Sequence, residues 1–339
     1  MNASSQQTDV AIIGAGPAGL FAVFECGMLD MKCHVFDALD VVGGQCAALY
    51  PEKPIYDIPG YPRIDAALLV DRLFEQAAPF SPTYHLGQAV SGLEKVGDVF
   101  AVTNAAGVAV TARAVVIAAG GGAFGPNRPP LADIEAFEGK SVFYLVRRRE
   151  DFRDKRIVIA GGGDSAVDWA LSLAELAAHV MVVHRRGKFR AAPQSLRRLE
   201  ELAAAGKVEL VIPYQLAALK GMGGRLDAVI VADLAGAERR LAADCLLPLF
   251  GLATQLGPLA RWDLAFDDNR IVVDPASCVT SRPGIFAIGD IAHYSGKLKL
   301  ILSGFAEAAA AAHAIRPLVY PGQALHFEYS TTRGIPSIP

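Results

Sequence analysis

The sequence predicts an α/β architecture with two separate parallel-sheet units, and three observations carry that expectation. The β-branched run Val10–Ile13 leads into Gly14-Ala15-Gly16-Pro17-Ala18-Gly19, then an Ala- and Leu-rich helical stretch, then a short apolar strand at Lys32–Phe36. Arg156–Ala160 leads in the same way into Gly161-Gly162-Gly163-Asp164-Ser165-Ala166, a second helical stretch and a strand at His179–Val183. A third apolar run, Ala114–Ala119, ends in Gly120-Gly121-Gly122. Strand, glycine turn, helix and second strand, in that order, open a dinucleotide-binding (Rossmann-like) domain, and the chain contains that order twice.

The remaining elements fit around these two units. Tyr84–Val90, Val99–Thr103 and Val108–Val110 are short strands parted by Gly, Asp and Asn, which predicts an antiparallel β-meander inserted into the first unit. Gly120–Pro130 is rich in Gly and Pro and is expected to be a hinge, with a second crossing near Leu247–Gly251. The first domain is then discontinuous, residues 1–120 and 250–317, around a second domain at 121–249. A final helix is expected from about Leu300 to Ile315. Residues 318–339 are expected to be a C-terminal extension, whose last twenty residues, with Pro321, Pro336 and Pro339, are expected to be irregular.

A chain of 339 residues suits two domains at roughly 100–200 residues each. With 52% apolar and 20% charged residues it is too apolar to be disordered and too charged for a membrane bundle. A net charge of −3 argues against a general nucleic-acid binder. No uncharged apolar run reaches the roughly 18 residues a membrane span needs, so no membrane partner is expected. The start, MNASSQQTD, shows neither a basic nor an apolar leader region, and a cytoplasmic location is expected. The cysteines, Cys26, Cys33, Cys46, Cys245 and Cys278, include no C-x-x-C, so neither a zinc knuckle nor a local redox pair is expected.

The first glycine turn has a task for each glycine. Gly14 permits the tight turn, Gly16 lets backbone approach a pyrophosphate, and Gly19 lets the helix pack on the strand. The helix start at Ala18 then offers free N–H groups to the phosphates. Asp37 ends the second strand, where a carboxylate accepts both hydroxyls of a ribose diol. Gly43-Gly44-Gln45 follows, a track on which backbone runs close to a bulkier ligand portion. Far downstream, Ile285–Ile288 is a strand ending in Gly289-Asp290, an acid placed to accept from a polyol chain. A ligand that spans all three is longer than NAD, and FAD fits.

The second turn, Gly161-Gly162-Gly163-Asp164-Ser165-Ala166, has Ala166 in the third glycine position. Its following strand ends in His184-Arg185-Arg186-Gly187-Lys188-Phe189-Arg190. An acid there would repel a 2′-phosphate. Three guanidinium forks bind one bidentately, so this site is expected to prefer NADPH over NADH by well over tenfold in kcat/KM.

GAGPAG, Asp37, GGQ, AAGGGAFGP and GIFAIGD together resemble the two-dinucleotide-domain flavoprotein superfamily. Within it, thioredoxin reductases carry a C-x-x-C ahead of the second glycine turn, where this chain reads Ser141–Val146 without cysteine. Glutathione-reductase-type enzymes place two cysteines after the Gly-Gly; Cys46 matches the first, but Pro51 occupies the second. With no dithiol, the electron acceptor must approach the flavin itself. GGQCAALYPEKPIYDIPGYP, GGGDSAVDWAL, HRRGKFR, GKLKLILSGFAEAAAAAHAI and EYSTT resemble the thioredoxin-reductase-like ferredoxin–NADP(+) reductases from end to end. That resemblance implies FAD contacts at Asp37, Gln45, Tyr50, Val90, Phe124, Asp290 and Thr331. It implies catalytic positioning by Tyr50 stacked on one flavin face, Tyr329 on the other and Ser330 near N5. It implies hydride transfer between NADPH and FAD coupled to one-electron transfers with ferredoxin or flavodoxin, in a homodimer. The 300–315 helix would aim its positive end at the flavin, with Lys297 and Lys299 either adding to that or lying on the surface. Arg147-Arg148-Arg149 would be a guide for an acidic carrier or a solvated face. An NADPH oxidase or diaphorase, and a flavoprotein sensor of the NADPH/NADP+ balance, are the alternatives.

Overall fold

The structure, a computed structural model, describes residues 6–104, 107, 109–323 and 334, with the backbone alone at 109, 123–126 and 252–255. In chain order the elements are β1 (Gln6–Ile13), α1 (Pro17–Met28), β2 (Cys33–Phe36), α2 (Gly44–Ala48), α3 (Ala66–Ala77), β3 (Thr83–His85), β4 (Val90–Val96), β5 (Val99–Asn104) and β6 (Ala109–Ile117). Then come β7 (Arg156–Ala160), α4 (Asp164–Leu173), β8 (His179–Val183), α5 (Pro193–Ala204), β9 (Val208–Val211), β10 (Gln215–Met222), β11 (Arg225–Ala232), β12 (Glu238–Ala242) and β13 (Cys245–Pro248). The chain closes with β14 (Ile285–Ala287) and α6 (Ile301–Val319). Two compact units emerge, Met1–Ala123 with Thr254–Pro339, and Phe124–Ala253.

The first unit is a sheet in the order β3-β2-β1-β6-β5-β4, with β14 beside β6. Strands β3, β2, β1, β6 and β14 are mutually parallel, while β4, β5 and the start of β6 form an antiparallel meander. Because both faces are covered there, the second half of β1, Val10 to Ile13, is a continuous apolar run, and Val10, Ala11 and Ile12 have no exposed surface. Ile12, Val35 and Val116 face α1 and α6; Ala11, Phe36, Val115 and Ile117 face the meander residues Phe100, Val102 and Val110. Helix α6 presents Gly304, Glu307, Ala308, Ala311, Ala312 and Ile315 as one buried stripe at helical spacing.

The second unit has an all-parallel sheet in the order β9-β8-β7-β13 and a three-stranded antiparallel sheet, β10-β11-β12. Val158, Ala160, Met181, Val183 and Leu246 form one core with Val229, Val231 and Leu241 of that second sheet. Helix α4 packs against β7 and β8 and buries Trp169.

Three expected boundaries are corrected. The expected strand Tyr84–Val90 is two elements. His85 ends β3, a parallel edge strand, because Gly87, at φ +66°, turns the chain and donates its N–H to the Leu39 carbonyl at 2.7 Å. The expected strands at 108–110 and Ala114–Ala119 are not separate: among the described residues β6 runs unbroken from Ala109 to Ile117, through Thr111 and Arg113, which point away from the core while Ala112 and Ala114 are buried. Those polar residues are the outer positions of a pleat and not a break. Helix α6 runs past Ile315 through Pro317 to Val319, since a proline in the last turn removes only one backbone donor and Val319 is buried.

Candidate functional site

In each unit the first strand lies between neighbours reached by opposite crossings, β2 and β6 around β1, and β8 and β13 around β7. Ligands of open α/β sheets bind at such switch points, outside the carboxyl ends of the strands. The first unit brings its predicted residues there: the turn after β1, Asp37 after β2, and residues 288–290 after β14.

The three glycines of the first turn are not equivalent. Gly14 has φ +115°, and a Cβ there would lie 2.2 Å from the Ala118 carbonyl oxygen. A Cβ on Gly19 would lie 1.9 Å from the Gly14 oxygen. The fold itself demands both. Gly16, the N-cap of α1, has φ −73° and ψ −179°, which any residue adopts, and its Cβ would meet nothing nearer than Gly44 Cα at 4.0 Å. The fold does not need a glycine at position 16. Opposite it, the Gly43 N–H donates to the Ala15 carbonyl at 2.8 Å, so the Gly-Gly track is fastened to the turn. No side chain caps α1, and among the described residues the N–H groups of Ala18 and Gly19 have no protein acceptor.

The Asp37 carboxylate accepts the Ala15 N–H at 2.6 Å and the Leu39 N–H at 2.9 Å. Burial pushes its pKa up, and the backbone donors of Leu39, Ala15 and Ala38 pull it back. Each oxygen keeps a lone pair for a hydroxyl donor. Beneath it, His34 Nδ1 and His85 Nε2 lie 3.0 Å apart, and burial lowers both pKa values.

Tyr50 follows α2 and packs against the cluster of Leu20, Cys46, Leu69 and Val70. Its hydroxyl is hydrogen-bonded to the Cys46 thiol, and burial raises the tyrosine pKa strongly. Burial likewise raises Cys46 from 9.0 to about 11, and the carboxylate of Asp290 adds to the rise. Asp290 thus lies on the same side as Tyr50 and Cys46. Thiolate appears at Cys46 only as the pH climbs towards 11, so at pH 8 the native thiol should react with iodoacetamide at least about a hundredfold more slowly than a thiol of pKa 9.0. Mass-spectrometric mapping of alkylated native protein checks this; rapid labelling of Cys46 would contradict it.

Sequence reasoning missed the group that holds this corner together. Glu307, 4% exposed, accepts the Gly289 N–H at 2.7 Å and the Tyr294 hydroxyl at 2.8 Å, and it is ion-paired to Lys297. Lys297, with a side chain 1% exposed and paired with Glu307, is therefore not a surface lysine, and that expectation for it is corrected. Lys299 is exposed. A Cβ on Gly304 would lie 3.1 Å from Ala18 Cβ, and one on Gly289 would lie 3.3 Å from it. Small residues thus let α1, α6 and the 288–290 segment meet. The readable signal was a lone acid within SGFAEAAAAA, on the buried face of an alanine-rich helix.

The second unit repeats the geometry. A Cβ on Gly161 would lie 2.6 Å from the Leu249 carbonyl oxygen, and one on Gly162 would collide with the His184 ring at 2.2 Å. Gly163, with φ −96° and ψ 177°, has ordinary backbone and nothing nearer its Cβ than the Arg190 oxygen at 4.0 Å. Arg185, Arg186 and Arg190 are exposed, as are Asp164 and Ser165. None of the three arginines has a carboxylate partner among the described residues.

The other predicted residues divide. Gln45 lies in α2, with its amide nitrogen facing Gly120, and buried Val90 opens β4. Phe124 belongs to the strand Ala123–Pro126, of which only the backbone is described. Tyr329, Ser330 and Thr331 lie outside the described residues. Of the basic connection, Arg149 is bonded to Glu175 at 2.7 Å and Arg148 is 3.8 Å from Asp151, so carboxylates of the same unit offset much of its charge.

Comparison with known proteins decides the family. The family model described as pyridine nucleotide-disulphide oxidoreductase matches residues 8–314. The chain belongs to this family. Two similar curated proteins are both named ferredoxin–NADP reductase: one from Paramagnetospirillum magneticum, 63% identical over 98% of this chain and 99% of its own, and one from Rhodospirillum rubrum, 62% identical over 98% of each. Among solved structures, thioredoxin reductase of Lactococcus lactis superposes with a TM-score of 0.80 at 25% identity, covering 92% of this chain and 99% of its own. This oxidoreductase has two glycine turns, Gly14–Gly19 and Gly161–Ala166. All five of its cysteines are buried and free.

Proposed function

We propose that this chain is an FAD-dependent ferredoxin–NADP(+) reductase, with FAD in the first unit and NADPH in the second. The observation that carries it is the pair of middle glycines. Gly16 and Gly163 sit in ordinary backbone beside open space, so a ligand backbone, and not the fold, accounts for their lack of a side chain. The names of the relatives at 62–63% identity give the electron carrier.

The residues present fit the flavin nucleotide. Ala18 and Gly19 offer N–H groups to the pyrophosphate, the Gly43-Gly44 track runs beside Gly16, and Asp37 offers lone pairs to the ribose. Asp290 accepts from the ribityl chain, and the start of α6 turns its positive end to the isoalloxazine. When bound, the flavin supplies the link between two-electron exchange with nicotinamide and one-electron exchange with an iron–sulfur carrier. The protein would position and screen it: the Tyr50 ring, its hydroxyl held by Cys46, would lie against the flavin. The cap by Tyr329 and Ser330, the contacts at Val90, Phe124 and Thr331, and the homodimer follow from the resemblance. Cys46 has no second thiol to pair with, which separates this reading from dithiol exchange. Among the described residues no helix is long and apolar enough to cross a membrane.

The second unit's arginines should set nucleotide choice. Arg185→Ala and Arg190→Ala should each lower kcat/KM for NADPH about tenfold, as an exposed charged hydrogen bond contributes about 1.5 kcal/mol. The value for NADH should barely move. Steady-state kinetics with both nucleotides tests this; equal losses would refute a 2′-phosphate contact.

A further inference from the structure

We infer that Asp164 latches the basic segment 184–192 across the second glycine turn, and so sets the preference for a 2′-phosphorylated nucleotide as a positioning residue rather than a contact. This rests on the function proposed above, in which the second unit binds NADPH.

The segment does not simply leave the end of β8. It folds back over the turn. The Arg190 N–H donates to the Gly162 carbonyl at 2.7 Å, and Arg190 pairs with Gly163 as an isolated parallel bridge. Two residues on, the Ala192 N–H donates to Asp164 Oδ1 at 2.9 Å. The inside of the loop is filled by His184, whose Nε2 lies 3.2 Å from the Lys188 carbonyl oxygen and whose ring centroid lies 4.9 Å from that of Phe189. That ring occupies the space a Gly162 side chain would need. The stretch bearing Arg185, Arg186 and Arg190 is therefore tied at two places: by Arg190 to the Gly162–Gly163 backbone and by Ala192 to the first residue of α4.

A carboxylate at the start of α4 works against a pyrophosphate bound there. Its hydrogen bond to Ala192 is the use the structure gives it. The tie lies C-terminal to all three arginines, and it touches none of the backbone that forms the glycine turn. Its loss should loosen the 2′-phosphate site and leave the pyrophosphate site in place. His184, expected to contact the nucleotide, takes the same supporting part from inside the loop.

Two variants separate charge from latch. Asp164→Asn removes the charge but keeps an oxygen to accept from Ala192, whereas Asp164→Ala removes both. Binding of NADP+ and NAD+ to the flavin-loaded protein is measured by titration calorimetry. Asp164→Asn should bind both nucleotides at least as tightly as wild type, with the NADP+ preference unchanged. Asp164→Ala should match Asp164→Asn for NAD+ but bind NADP+ about fivefold more weakly, the worth of one neutral hydrogen bond. If both variants keep the wild-type preference alike, or if Asp164→Ala loses both nucleotides equally, the latch is refuted and the nucleotide assignment stands. A wild-type protein with no preference for NADP+ refutes the assignment, and the latch with it.

Discussion

Gly16→Ala should unfold, as apoprotein, at the wild-type temperature and yet purify without flavin. The alanine Cβ meets only Gly44 Cα at 4.0 Å, and φ −73° suits any residue, so the polypeptide does not register the change. A pyrophosphate lying against the turn would meet the methyl group directly. An affinity loss of at least about a hundredfold, near 2.7 kcal/mol, is expected. Gly14→Ala is the contrast. There φ is +115° and the Cβ would lie 2.2 Å from the Ala118 oxygen, so the turn itself must shift and the apoprotein loses stability by a few kcal/mol. The comparison uses apoproteins because bound cofactor raises the unfolding temperature by linkage. Melting curves and the visible absorbance of the purified proteins decide it. A Gly16→Ala protein that keeps its flavin contradicts the assignment of this turn.

Glu307→Ala should have the largest effect on the fold. It leaves the Lys297 ammonium buried without its partner, and the Gly289 N–H and Tyr294 hydroxyl lose their acceptor. Breaking one side of a buried ion pair costs about 3–5 kcal/mol. Replacing both partners with apolar residues of similar size, Lys297→Met with Glu307→Leu, should recover much of that stability, because no charge is then stranded. It should not recover the flavin affinity of wild type, because Gly289 next to Asp290 would remain untied. Denaturant melts give the first quantity and flavin titration the second. If the single variant melts like wild type, the network does not hold this corner.

Much of this was legible because it rests on residue types with few uses. The two glycine turns, Asp37 and the arginines after β8 announce themselves by spacing and charge. The structure adds what spacing could not reveal. Thr111 and Arg113 looked like the end of a strand because alternation in a pleat and a true break give the same polar letters. Gly87 split the expected Tyr84–Val90 strand because its positive φ is set by a bond to Leu39, far away in sequence. Lys297 was open to either reading in the sequence, a helper of the helix's positive end or a surface lysine, and only the packing of α6 shows that Glu307 lies beneath it. Likewise Arg190 could be assigned by its charge, but its fold-back onto Gly163 depends on backbone hydrogen bonds that no side-chain pattern encodes.

The central claim is that reducing equivalents pass from NADPH through one bound flavin to an iron–sulfur carrier, with no thiol of this chain taking part. Anaerobic stopped-flow mixing tests it most directly. NADPH should bleach the yellow absorbance, and a second mix with oxidised ferredoxin should restore it as the ferredoxin is reduced. Both steps should persist when all five cysteines are replaced, with Cys46→Ser keeping a hydroxyl beside Tyr50. Bleached protein that ferredoxin leaves unchanged but a disulfide substrate reoxidises would contradict the account.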